Sequence, residues 1–137
     1  MSDPAKSVDV PETTHTFQLE SSGKVTKRRY VGDFSCKIPT TKDQCQIAKH
    51  QAFLNGPMAE FLDPGTLSLH RKIAYLRFTL EKYPDWWRDN DLGYNLIDHN
   101  VVGDVYDKVS EFEEGWLKEI WGEEAIKGSD NGSAEKS

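Results

Sequence analysis

The first third of the chain alternates polar and less polar side chains with the two-residue period of a half-buried β-strand. Residues 14–20 show this alternation, and Ser-Ser-Gly at 21–23 is a turn signal because glycine tolerates positive φ. Residues 24–38 return as a second extended run, which ends at a proline. The less polar side of the first run consists of His15, Phe17 and Leu19. The pattern predicts an antiparallel β-hairpin or a small sheet.

After residue 39 the spacing changes to that of amphipathic helices. A first helix is predicted to begin near Thr40 or Thr41, where Gln44 completes an approximate capping box with Thr41. Asn-Gly-Pro at 55–57 ends it. Its apolar side is narrow and consists of Ile47, Ala48, Phe53 and Leu54.

Two later stretches carry wider apolar stripes. One is predicted to run as a helix until the residue before Pro84, and its stripe consists of Leu69, Ile73, Leu76 and Leu80. After a loop at 85–95, a long helix runs from near Asp98 or Asn100 to about Trp121, with Asp98 as its cap. Packing of this helix on the leucine face would supply most of the core. The fold class is therefore predicted to be α+β, with three main helices after the hairpin or small sheet.

Both ends of the chain are polar and hold little that a core could bury. Residues 1–12 and 126–137 are therefore predicted to be disordered, and residues 13–125 to form a single domain. No stretch approaches the roughly 18 apolar residues of a membrane span, and the first residues do not form a secretory signal. Two cysteines without metal-type spacing suggest a reducing compartment. A cytoplasmic location without membrane partners is expected.

The charge distribution narrows the class of partner. A net charge of −6 and a pI near 5.2 argue against nucleic acid as a binding partner. Residues 24–50 are rich in lysine and arginine, whereas residues 98–124 hold nine acids and two lysines. These surfaces could pair within the monomer, remain solvated, meet between subunits or attract different protein partners. Homo-oligomerisation therefore stays open.

Candidate catalytic and metal-binding residues are few. Asp98-His99 could be a base and its orienting group, but a helix cap explains Asp98 better. Cys36, Cys45 and His50 match no zinc spacing, and there is no phosphate-binding loop or other recognised catalytic motif. We therefore expect no enzyme activity, no cofactor and no metal.

Tryptophans are the strongest candidates for a protein-binding site. Trp86 and Trp87 follow Pro84, and neighbouring side chains in a loop diverge, so one can fill the core while the other faces outward. Both could instead cover the core. Trp121 lies at the edge of the last apolar stripe and is a better contact candidate than Trp116. The candidate protein-binding residues are therefore Trp86, Trp87 and Trp121.

Three short motifs occur in order along the chain. They are Tyr30-x-Gly32-x-Phe34-x-x-Lys37, then Pro84-x-Trp86-Trp87, then Gly93-x-x-Leu96-x-Asp98-x-Asn100-Val101-Val102 before an acidic helix. Over about residues 28–120, this order resembles the tail assembly chaperone-like group of small proteins encoded among the tail genes of tailed bacteriophages. The resemblance carries no catalytic residues.

The resemblance implies a helical protein that binds the tape-measure protein in the host cytoplasm while the tail tube polymerises around it. Such a chaperone is absent from the finished particle. Because a hairpin is less expected of a wholly helical chaperone, a structural tail or neck protein of the virion is an alternative. A third alternative is a small inhibitor or regulator of a host protein, in which the acidic last helix imitates nucleic acid.

Overall fold

The computed structural model of this chain describes residues 12–122 and confirms the predicted α+β fold. A three-stranded antiparallel sheet, in the order β1-β2-β3, is combined with three main helices, one short α-helix and one turn of 3₁₀ helix at Ala59–Phe61. The elements are β1 (Thr14–Ser22), β2 (Arg29–Lys37), α1 (Thr41–Asn55), α2 (Pro64–Thr79), β3 (Leu80–Lys82), α3 (Asp85–Arg88) and α4 (His99–Trp121). Apart from Glu12, the segments predicted to be disordered lie outside the described residues, as does the predicted domain end at residue 125.

The predicted hairpin is present, but its second strand begins later than expected. β1 pairs with β2 along its whole length, from Thr14 opposite Lys37 to Ser22 opposite Arg29. Residues 23–28 form the connecting turn, closed by the amide of Gly23 donating to the carbonyl of Arg28 at 2.7 Å. The turn is longer than the sequence suggests because its amides bond to a distant carboxylate.

The sheet contains a third strand that the sequence pattern assigns to a helix. α2 ends at Thr79, and Leu80 is already extended, with φ −81° and ψ 129°. β3 then pairs antiparallel with β2, placing Leu80 opposite Cys36. Pro84 disfavours helical conformation just before it, and the hydroxyl of Thr79 bonds to the carbonyl of Tyr75 at the helix end. The prediction that the helix continues to residue 83 is therefore wrong.

α1 differs from its prediction in both its cap and its apolar side. Thr40 is the N-cap, and the capping box is completed by Asp43 instead of Gln44, because Asp43 is the residue at N3. The helix has no buried residue and packs on the outside of α2. Phe53, expected on its inner side, is 76% exposed. α1 is a peripheral helix.

Residues of the sheet and of three of the helices form most of the core. α2 and α4 contribute to it as predicted, but the sheet and α3 contribute as well. The core residues are Leu19, Tyr30, Phe34, Cys36, Ile73, Leu76, Leu80, Trp87, Leu96, Val101, Val102, Val105 and Val109. The stripe of α4 leaves the core towards its end, where Ile120 and Trp121 are exposed. None of the helices between residues 12 and 122 is both long and apolar enough to cross a bilayer.

Candidate functional site

The side chain of Asp98 joins the start of α4 to the hairpin turn. Asp98 is fully buried and accepts hydrogen bonds from the amides of Val25 at 2.8 Å and Thr26 at 2.9 Å. The hydroxyls of Thr26 and Tyr30 also donate to it, the latter at 2.7 Å. Asp98 occupies the N-cap position of α4 but makes no capping hydrogen bond with its side chain. The prediction that its carboxylate caps the helix is therefore wrong.

The hydrogen bonds to Asp98 determine its ionisation state. Burial alone would raise the pKa of this carboxyl, but the donors from Thr26, Tyr30 and Val25 outweigh burial and hold the pKa well below its usual range. The same carboxylate, together with burial, raises the pKa of Tyr30. A side chain at Gly23 would meet the carboxylate, since a Cβ there would lie 2.2 Å from Oδ2. Asp98 is thus an ionised structural acceptor whose surroundings are filled.

The three motifs that carry the resemblance contact one another, since Tyr30 of the first donates to Asp98 of the third and its ring centroid lies 5.1 Å from that of Trp86 in the second. A Cβ on Gly32 would lie 2.6 Å from Cγ of Pro84, and one on Gly93, which has φ +91°, would lie 2.5 Å from the Trp87 ring. Asn100 donates to the carbonyl of Ser22 at 2.9 Å and accepts from the amide of residue 24 at 3.0 Å. Close packing and the turn geometry therefore account for Gly32, Gly93 and Asn100 as residues that serve the fold.

The three candidate tryptophans have different environments. Trp87 is 1% exposed and packs against Phe34, so it is not available to a partner in this fold. Trp86 is half-buried and donates from its indole nitrogen to the carbonyl of Val31 at 3.0 Å. The adjacent pair thus divides between the core and the surface. Trp121, 63% exposed at the end of α4, is the most accessible of the three.

The histidines and cysteines are not assembled into a reactive group. Nδ1 of His70 lies 2.8 Å from Oδ1 of Asn55, and Nε2 lies 3.1 Å from the hydroxyl of Tyr94, which gives both ring nitrogens structural partners. Cys36 is buried, Cys45 is exposed, and both are free thiols. Within residues 12–122 no three histidine, cysteine or acidic side chains are grouped as a metal site.

A groove lies between β1 and the second half of α4. It has a volume of about 590 Å³. Its wall on the strand side includes His15, which stacks on Phe112 of α4 with ring centroids 4.9 Å apart. The groove is lined by Glu12, Thr14, His15, Phe17, Lys108, Glu111, Phe112, Gly115, Trp116 and Glu119. We name it the strand–helix groove; it combines an aromatic floor with an acidic rim.

Two carboxylates of α4, Glu111 and Glu119, line this groove. Several carboxylates at the start and middle of the helix are used internally: Asp104 accepts from Ser21, and Glu113 accepts from Tyr75. The ion pairs of the basic 24–50 segment are made with Glu20 and Asp43. Across the described residues no ion pair joins that segment to α4. Between residues 12 and 122, the alternative in which the two charged segments pair by salt bridges is therefore not observed.

No protein-family model, curated protein or solved structure matches this chain. Function therefore has to be inferred from the groove and the exposed side chains. Sequence reasoning missed the groove, although Lys108, Glu111, Gly115 and Glu119 recur at helical spacing. That stripe could have been found in the sequence, but its position beside β1 could not, because it depends on tertiary packing.

Proposed function

We propose that this protein is a non-catalytic binding protein that holds a protein partner along the strand–helix groove and the end of α4. The observation that carries the proposal is the groove itself, which has an aromatic floor, together with separate exposed apolar residues at the end of α4. Ile120 is 36% and Trp121 63% exposed beyond the packed part of the helix. Large aromatic side chains are enriched at the energetic centres of protein interfaces. Trp86 is a secondary contact candidate.

The more specific proposal is a phage tail assembly chaperone that binds the tape-measure protein in the host cytoplasm. Its support is the ordered set of motifs in the sequence. Because Tyr30, Trp87 and Asp98 belong to one packed cluster, other proteins carrying these motifs would be expected to share this architecture. The sites of contact would be the groove and Trp121, which lie outside the motif cluster and can differ in sequence between proteins.

Quantitative mass spectrometry of producing cells and of purified phage particles tests the chaperone proposal. We expect the protein to be abundant in the cell lysate and absent from the particles. A fixed stoichiometric amount in the particles would replace the chaperone with a structural virion protein. That second candidate is favoured by the three-stranded sheet, which a wholly helical chaperone would not have.

Site-specific photocrosslinking in the same cells tests the binding surface. A photoreactive amino acid at Trp121 should crosslink to the tape-measure protein, whereas the same group at the exposed Glu81 of β3 should not. Equal crosslinking from both positions would contradict the assignment of the surface. Salt-sensitive capture of a basic host protein would instead support the third candidate, an acidic inhibitor acting through the exposed carboxylates of α4.

A further inference from the structure

β1 is an edge strand with outward-facing backbone groups. Among residues 12–122 the sheet order is β1-β2-β3, and only one side of β1 is paired there. Thr13 accepts from the amide of Ile38 at 2.8 Å, and Gly23 donates to Arg28 at 2.7 Å, so odd-numbered residues bond to β2. Antiparallel pairing alternates, and even-numbered residues therefore direct their N–H and C=O groups away from the sheet.

The outward backbone groups at the two ends of this edge differ in their hydrogen bonding. At one end the outward carbonyl of Ser22 is occupied by the side chain of Asn100. From Thr14 to Glu20, no described residue bonds to the outward backbone groups. Residues 14–19 contain no proline, lysine, arginine or acid, although natural edge strands often use such residues to prevent pairing. The strand–helix groove runs beside this unprotected part of the edge.

We propose that the edge of β1 between Thr14 and Glu20 accepts an extended, basic segment of a partner protein as a fourth strand. The backbone of the added strand would bond to the outward amides and carbonyls, as in other complexes formed by strand addition. This inference rests on the protein-binding part of the proposed function and does not depend on the identity of the client.

The acidic lining of the groove favours a partner segment with basic side chains. The groove is lined by three carboxylates, Glu12, Glu111 and Glu119, and by one lysine. Alternate side chains of an added strand would point into it. Lysine or arginine there can reach the carboxylates while its aliphatic stem covers the ring of Phe112 on the groove floor. The positions between would face Thr14, Thr16 and Gln18, beside which β-branched residues pack well.

A second copy of this chain is a poorer occupant of the same edge. α4 lies along β1, since Asp104 contacts Ser21 near one end of the strand and Phe112 contacts His15 near the other. Pairing two β1 strands about a twofold axis would therefore bring the two α4 helices together. Their exposed carboxylates, including Glu111, would then face like charges. An unlike, basic segment avoids this repulsion.

The test uses the full chain and synthetic peptides of nine residues, the length of β1. One peptide alternates lysine with valine, a second carries glutamate in place of lysine, and a third is the lysine peptide with alternate backbone amides N-methylated. Fluorescence anisotropy should show binding of the first peptide only. Its affinity should fall as sodium chloride is raised from about 50 mM to about 500 mM. Failure of the lysine peptide to bind, or equal binding of all three peptides, would overturn the proposal.

Matched variants separate the edge from the groove. Thr16→Pro removes an outward amide without removing a β1–β2 hydrogen bond, and should weaken lysine-peptide binding about tenfold. Thr16→Val, which keeps the amide, should bind within about twofold of wild type. Joint replacement Glu111→Gln and Glu119→Gln should reduce affinity and its salt dependence, whereas Glu114→Gln, outside the groove, should not. Amide exchange at Thr16 should slow on peptide binding, whereas exchange at Phe17 should not change.

Two results would assign the edge differently. A full-length dimer that Thr16→Pro dissociates would show that a second copy occupies the edge, and would overturn the proposal. Capture of the same partners by Thr16→Pro as by wild type in producing cells would also overturn it, while leaving the proposed function intact. Conversely, if the Trp121 crosslinker captures no partner protein, the proposed function fails even where the lysine peptide binds the edge.

Discussion

The two ends of the β1–β2 hairpin differ in whether their outward backbone groups are hydrogen-bonded to the rest of the fold. At the turn end, the side chains of Asp98 and Asn100 form hydrogen bonds with backbone groups of residues 22–26, which connects the turn to the start of α4. At the other end, the edge of β1 and the second half of α4 border an open groove with unused backbone groups. Packing explains the first end completely. The hydrogen bonds of the described residues leave the second end unexplained, and the proposed binding site lies there.

The largest effect is expected from breaking the turn end. Asp98→Ala leaves the amides of Val25 and Thr26 and the hydroxyl of Tyr30 without their buried acceptor. We expect the melting temperature to fall by about 10 °C or more, because each of the three donors left without its acceptor costs about 1–3 kcal/mol. Asp107→Ala, which removes an exposed carboxylate from the same helix, is the control and should melt like wild type. Equal melting of both variants would show that the carboxylate does not hold the turn.

A core substitution provides the scale for this comparison. Leu76 on α2 is fully buried, and Leu76→Ala should lower the free energy of unfolding by about 2–5 kcal/mol because it leaves a cavity. Phe53→Ala on α1 should change it by less than about 0.5 kcal/mol, since that ring is 76% exposed. Urea titrations measure both. A large loss from Phe53→Ala would restore the sequence-based expectation that α1 buries this residue.

Sequence periodicity was sufficient for elements whose burial is regular. Phe17 and Leu19 alternate with polar residues along β1, and Val102, Val105 and Val109 follow the helical period along α4. The third strand was missed because Leu80 continues the leucine spacing of α2, and only its pairing with Cys36 makes it a strand. Local pattern cannot reveal partners that lie far along the chain.

The role of Asp98 and the groove illustrate the same limit. An aspartate before an apolar stripe is the ordinary signal of a helix cap, yet its donors lie 72 and 73 residues earlier. Trp87 could have faced a partner or the core, and its position against Phe34 could not be read from the sequence. Trp121 was predicted as a contact candidate from its place at the edge of the stripe, and its ring is exposed. The groove depends on tertiary packing of α4 along β1.

Acid should weaken the turn end of the hairpin. The pKa of Asp98 is lower in the folded protein than the usual value of about 3.9, so at mildly acidic pH the unfolded chain binds a proton that the folded chain does not. The stabilisation is complete above about pH 5 and decreases as pH falls through and below the unfolded pKa. Urea midpoints measured from pH 7 to pH 3 should therefore fall.

The substitution Asp98→Asn isolates this contribution. Its urea midpoint should be lower than that of wild type at pH 7, and the gap should narrow towards pH 3. The urea midpoint of Asp98→Asn should itself still fall as the pH is lowered, because hydrogen bonds also lower the pKa values of Asp43 and Asp63. A constant gap across the whole pH range would mean that Asp98 contributes through packing and not through its charge.

The smallest expected loss of stability comes from a proline substitution at the open end of the hairpin. It is the most direct test of the difference between the two ends, because it can be compared with the same substitution at the adjacent residue. Thr16→Pro removes an amide that points away from the sheet, so the free energy of unfolding should fall by less than about 1 kcal/mol. His15→Pro removes an amide that bonds to β2, and should cost about 1–3 kcal/mol. His15→Ala controls for the ring that stacks on Phe112. If the two proline variants lose equal stability, the outward groups of β1 are not free, and the open end of the hairpin is as fully committed to the fold as the turn end.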